Sequence, residues 1–163
     1  MAGLSTTVAI YDEMSPAESD WDALEAAAKT SEVDIADAAL VRRRGSGDVV
    51  SVHRQAHHGW GKGAVAGAIV GVIFPPSLLG SAVAGGLGGA LVGRVSRCLG
   101  RGDIKDLGEV MDRSEIALVV VAKVDSVGRV EELLSGASHK LSRGDMPADE
   151  LLQAMDAAGL NPR

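Results

Sequence analysis

Three of the chain's four histidines, His53, His57 and His58, fall close together, and two imidazoles four residues apart can reach one metal ion. A zinc-type site needs three or four ligands in fixed geometry. His139 is remote in sequence and Cys98 is the single cysteine. The stretch therefore reads as a basic connector, and no metal ligands are assigned.

Residues 59–67, GWGKGAVAG, raise a second chemistry, a glycine-rich turn whose backbone amides hold phosphate. A P-loop needs glycine at 56 and Ser or Thr at 63, where this chain has Ala56 and Gly63. A dinucleotide pattern through Gly59, Gly61 and Ala64 lacks the β-α-β unit and later acidic residue that complete it. What is left is a helix start beside Lys62 that can attract an anion. No cofactor is assigned.

Asp12, Glu13, Glu18, Asp20, Asp22 and Glu25 form an acidic cluster. Negative charge favours the positive end of a helix dipole, so the cluster reads as a solvated helix start rather than paired catalytic carboxylates. Arg97 and Arg101 flank Cys98 and would lower a thiol pKa, but no base is placed beside it. Burial in a helix is the expectation for Cys98. No catalytic residue is assigned, and the chain reads as non-enzymatic.

The elements that position these residues follow from periodicity. TTVAIYD (6–12) is a short β-branched run and predicts a strand. Ser15-Pro16-Ala17-Glu18 predicts a helix start, with Ser15 as cap and Glu18 closing a capping box. That helix runs to about Thr30, with Trp21, Leu24 and Ala28 on one face. Strands follow at 33–43 and 49–54, joined by the Gly45-Ser46-Gly47-Asp48 turn. A short amphipathic helix is expected at 103–112. EIALVVVAKVD (115–125) predicts a central strand covered on both faces. A helix over 127–135 turns Val127, Val130, Leu133 and Leu134 inward. A short strand at 139–143 and a last helix, begun at Asp145 and stopped by Gly159, complete the chain.

This order predicts an α+β fold, a ferredoxin-like split β-α-β sheet built from residues 5–55 and 103–160. Residues 59–100 are then an inserted apolar glycine-zipper helical hairpin. The first and the 115–125 strands should lie side by side mid-sheet, with both helices on one face. The other face stays open and calls for a cover, either another subunit or the inserted block.

Within the block no residue from 63 to 93 is charged. Gly63, Gly67 and Gly71 recur every fourth residue, as do Gly85, Gly89 and Gly93. At that spacing a helix carries them in one near-axial row, which lets two backbones approach closely. Each glycine costs about 1 kcal/mol in a helix interior, so the rows need a packing partner. Pro75 and Pro76 divide the block and predict the hairpin turn. Val65, Ile69, Val72 and Ile73 line the opposite side of the first arm.

A fourteen-residue arm rises only about 21 Å, against roughly 30 Å of hydrocarbon, so two full spans do not fit. Lys62 precedes the hairpin, and Arg94 and Arg97 follow it. Basic feet and an uncharged tip suit a hairpin whose feet rest on anionic headgroups at the cytoplasmic face. The same charges also suit an apolar element buried in a soluble assembly.

Several segments resemble an uncharacterised bacterial family of glycine-rich proteins, often labelled membrane protein or domain of unknown function. They are VDIADAALVRRRGSGDVVSVHRQ (33–55), the hairpin with its central prolines, and DIKDLGEVMDRSEIALVVVAKV (103–124). In that family a strand ending in DAAVV, a charged hairpin, a glycine–alanine block and a strand read as SALFLLV come in this order. Asp37-Ala38-Ala39-Leu40-Val41 and Ser114-Glu115-Ile116-Ala117-Leu118-Val119 occupy the matching places. The resemblance runs from about Thr6 to Gly159. This chain carries more glycine and fewer bulky side chains in the hairpin. The resemblance implies membrane association and supplies no catalytic residues.

Composition narrows the partners. A net charge of −6 argues against nucleic acid, and two Trp, one Tyr and one Phe provide no stacking platform for bases. The N-terminal MAGLSTTVAIYDEM has no signal-peptide pattern, and one cysteine forms no intrachain disulfide. The expectation is a homo-oligomer, cytoplasmic or peripheral to the cytoplasmic membrane face, that meets an anionic membrane surface and has no identified small-molecule substrate. The alternative is a soluble oligomeric binding module that buries the hairpin and holds a small ligand or anion.

Overall fold

The structure, a computed structural model, describes residues 3–43, 49–56 and 115–146, together with Gly102, Lys105, Glu109 and Asp149. Five strands form one sheet: β1 (Leu4–Tyr11), β2 (Ile35–Arg43), β3 (Val49–Ala56), β4 (Ile116–Lys123) and β5 (His139–Met146). Their order is β3-β2-β4-β1-β5, and every neighbouring pair is antiparallel. Helix α1 (Met14–Lys29) joins β1 to β2. A single 3₁₀ turn, Val124–Ser126, and helix α2 (Val127–Leu133) join β4 to β5. The fold is α+β, with β1 and β4 side by side in the middle.

Apolar, mostly β-branched runs account for the central strands. β4 reads IALVVVAK and is buried from Ile116 to Ala122. Strand geometry sends alternate side chains to opposite faces, so a run without polar alternation needs cover on both. On one face, here the helix face, Ile116, Leu118 and Val120 pack with Trp21, Leu24 and Ala27 of α1 and with Val130 and Leu134 of the α2 segment. The other, far face carries Val8 and Ile10 of β1, Ala39 and Val41 of β2, and Ala117, Val119 and Val121 of β4. None of these seven is more than 4% exposed within the single chain. The apolar face that the sequence left in need of a cover is thus a buried one.

Helix α1 starts two residues earlier than expected. Glu13 holds the extended cap conformation, and its side chain makes no cap hydrogen bond. Ser15 therefore lies inside the first turn and forms no capping box, while Pro16 is tolerated there because first-turn amides lack helical partners. At the other end Lys29 suits the negative pole of the dipole. Ser31 takes a positive φ of 59°, and the chain closes with Ser31 N–H donating to Ala28 O and Glu32 N–H to Ala27 O. That pair of bonds is a Schellman closure, with serine where glycine is usual.

Two further boundaries move. The 139–143 strand extends to Met146, because its pairing with β1 continues through Gly144 opposite Ser5 and Met146 opposite Leu4. Asp145 is therefore strand rather than helix start; Asp149 beyond it is helical. Helix α2 stops at Leu133, though Leu134 stays fully buried. Gly102, Lys105 and Glu109 are helical and exposed, with Lys105 and Glu109 paired one turn apart at 3.9 Å.

Candidate functional site

The acidic cluster at the start of α1 divides in two. Asp12, Glu13, Glu18 and Asp22 are exposed, and Glu25 pairs with Lys29 at 3.0 Å. Asp20 is 5% exposed and sits on the buried stripe of α1 with Ala17, Trp21 and Leu24. Its Oδ2 accepts the Tyr11 hydroxyl at 2.8 Å and the Gly136 amide at 2.9 Å. A buried carboxylate with charge-assisted bonds of this length corrects the expectation of a wholly solvated cluster.

The surroundings of Asp20 are closed. Tyr11 is fully buried. Burial, then the hydrogen bond to Asp20 and its charge, hold the phenol well above its ordinary range. At Gly136 an added Cβ would lie 2.9 Å from Pro16 Cβ and 3.2 Å from Asp20 Oδ2. The carboxylate thus ties β1, α1 and the α2–β5 connection together. Its chemistry is acceptance of two fixed donors. The signal for it was in the sequence: position 20 falls three residues after Ala17 and four before Leu24, on the apolar face.

A second polar set joins the sheet ends. Lys123 forms an ion pair with Asp34, and its amide donates to Asp34 O at 3.0 Å. The Asp34 amide donates to Ser126 Oγ at 2.9 Å. Arg129 bridges Glu32 and Glu132, and its hydrogen bonds to Glu132 and Glu32, then the charge of Glu32, raise its already high pKa. This network fixes the entry of β2 against the exit of β4 at a solvated rim.

The histidines do not converge through the sheet. His53 lies on β3 opposite Leu40, and His139 starts β5 opposite Ile10. Those strands are the two edges, about 19 Å apart at strand spacing. Among the described residues no group of three His, Cys, Asp or Glu side chains is arranged to hold a metal. The helix-packing residues Gly63, Gly67, Gly71, Gly85, Gly89 and Gly93 lie outside the described residues. So do the hairpin turn at Pro75 and Pro76, the headgroup contacts Lys62, Arg94 and Arg97, and His57, His58 and Cys98. Among the described residues no helix is long and apolar enough to cross a membrane.

The far face is the remaining candidate surface. It is apolar, continuous over three strands, and packed against neither α1 nor α2. Asp37 is a fully buried charged residue on this face, and its Oδ1 accepts the Ala38 amide at 2.9 Å.

The sequence pattern of one family, described as Protein of unknown function (DUF1269), matches residues 61–156, more than half of the chain. The chain belongs to that family. Neither the curated proteins nor the solved structures yield a match.

Proposed function

Starting from membership of a family of unknown function, we propose that the protein is a non-enzymatic, self-associating scaffold that uses a glycine-zipper hairpin for helix packing and meets an anionic membrane surface. The observation that carries this reading is the uncharged 63–93 stretch with its two four-residue glycine rows, placed between β3 and β4 of one sheet. The frame around it is ferredoxin-like. The order β2-β4-β1-β5 and the two β-α-β units, β1-α1-β2 and β4-α2-β5, support that assignment. Strand β3 is an addition that extends the sheet beyond β2 and leads into the hairpin.

The mechanism is packing. Gly63, Gly67 and Gly71 on one arm, and Gly85, Gly89 and Gly93 on the other, permit close backbone contact. Pro75 and Pro76 turn the chain between them. Lys62, Arg94 and Arg97 meet headgroups, each contributing about 1 kcal/mol near an anionic surface.

Sizing without detergent, followed by co-sedimentation with vesicles containing anionic lipid, tests the reading. The parent should form a defined oligomer and pellet with vesicles. The triple variant Lys62→Glu, Arg94→Glu, Arg97→Glu should stay in the supernatant. Gly67→Leu and Gly89→Leu should disrupt assembly. A parent oligomer indifferent to anionic lipid would favour the soluble module with the hairpin buried inside it. Leucine variants that assemble like the parent would sink the zipper.

A further inference from the structure

We infer that the far face of the sheet is the docking surface for this chain's own glycine block, residues 57–101, so that the hairpin is held on the domain that carries it. This rests on the helical reading of the block given above and adds the surface on which the block packs.

The first support is burial without a described cover. Val8, Ile10, Val119 and Val121 are at most 1% exposed in a single chain, so no second copy is required to exclude water from them. Both described helices pack on the opposite side, among residues of the helix face.

The second support is size. Strands β2, β4, β1 and β5 span about 14 Å at ordinary strand spacing. One helix, about 10 Å across, leaves part of that width wet, and two neighbouring helices cover it. Pro75 and Pro76 divide the block into two such arms. The chain beyond β5 is shorter, and its DELLQAMD run is charged.

The third support is chain path. Strand β3 and strand β4 are both antiparallel to β2, hence parallel to each other. The chain must therefore leave one end of the sheet and re-enter at the other. A hairpin returns to the end from which it departs. The helical positions Gly102, Lys105 and Glu109 then supply the one-way traverse to β4. A crossover of the same hand as β1-α1-β2 would pass over the helix face, where α1 and α2 already pack.

The pattern within the block fits this placement. Val65, Ile69, Val72 and Ile73 form an aliphatic side suited to the valines of the sheet. Gly63, Gly67 and Gly71 lie on the other side and stay available for helix–helix contact.

Site-directed photocrosslinking in the full chain tests the inference. A diazirine-bearing aliphatic residue replaces Val119 in one variant and Val8 in another, with Val120 as the helix-face control. Circular dichroism selects folded variants, and sizing of the same samples reads self-association independently. After illumination the Val120 position should link to α1. The Val119 and Val8 positions should link within one chain to peptides from 57–101. Links confined to 147–163, links between chains, or no links beside a productive Val120 control would each overturn the inference. A monomer that gives the expected links would retain it while defeating the self-association reading.

Discussion

The two faces of the sheet carry similar residues and are buried to a similar degree, yet the described helices pack on only one of them. On the helix face, cover comes from amphipathic helices adjacent in sequence to the strands they protect. Trp21, Leu24, Val130 and Leu134 pack there, and Asp20 locks α1 to the α2–β5 connection. On the far face Val8, Ile10 and Val119 are as deeply buried, and neither α1 nor α2 lies above them. The difference teaches that the local β-α-β units cover one face of this sheet. The other face is the one we assign, by the inference drawn above, to a segment brought from further along the chain.

The sharpest way to break the comparison is a matched pair of truncations. Leu118→Ala on the helix face should cost about 3 kcal/mol in urea unfolding. Val119→Ala and Val120→Ala, one on each face, should cost about 2 kcal/mol apiece, because both side chains are fully packed. A loss at Val119 below about 0.5 kcal/mol would mean that the far face is packed loosely and that the comparison fails.

Asp20→Ala should cost about 2 kcal/mol by leaving the Tyr11 hydroxyl and Gly136 amide without their acceptor. Its effect belongs to the helix face, so Val119 crosslinks should persist in the folded fraction. Tyr11 also gives a pH signature. Its folded pKa is raised, so its contribution is fully present below the ordinary phenol pKa of about 10 and is lost as pH rises above that value. As Tyr11 is the only tyrosine, phenolate absorbance should appear only as the protein unfolds at alkaline pH. Tyr11→Phe should flatten the alkaline fall in stability. A phenolate signal in the folded protein near pH 10 would contradict the buried pair.

Gly136→Ala should cost about 1–2 kcal/mol, since its Cβ meets Pro16 and Asp20 at the same junction. Thermal melting reads this directly, and an unchanged midpoint would show that the junction yields. The smallest effect is a gain. Ser31→Gly relieves the positive φ at the end of α1 and should add about 0.5 kcal/mol, after allowing for the extra freedom of glycine in the unfolded chain.

Strand and helix identities were legible because the apolar runs are long relative to their turns. Ile116 to Ala122 could be read as a two-sided strand from its unbroken apolar character alone. Boundaries were less legible where local chemistry and pairing disagreed. Ser142-Arg143-Gly144-Asp145 has turn character, yet β1 offers backbone partners through Met146 and the strand continues. Ser15-x-x-Glu18 has the form of a capping box, yet the extended residue is Glu13. Asp20 was hidden by its acidic neighbours, although helical spacing from Ala17 and Leu24 placed it inward. Gly136 gave no sequence signal, because its lack of a side chain matters only against Pro16 and Asp20, far away in the chain.

Strand β1 has both its partners, β4 and β5, in the last third of the chain. During synthesis the first strand must wait for them. At ordinary elongation rates the roughly hundred residues between Tyr11 and Ile116 take about 5–20 s to appear. Throughout that interval β2 and β3 can pair, but β1 has two bare edges, and the uncharged block emerges before the sheet can close. The vulnerable period of a nascent chain of this order ends only when β4 slides between β1 and β2.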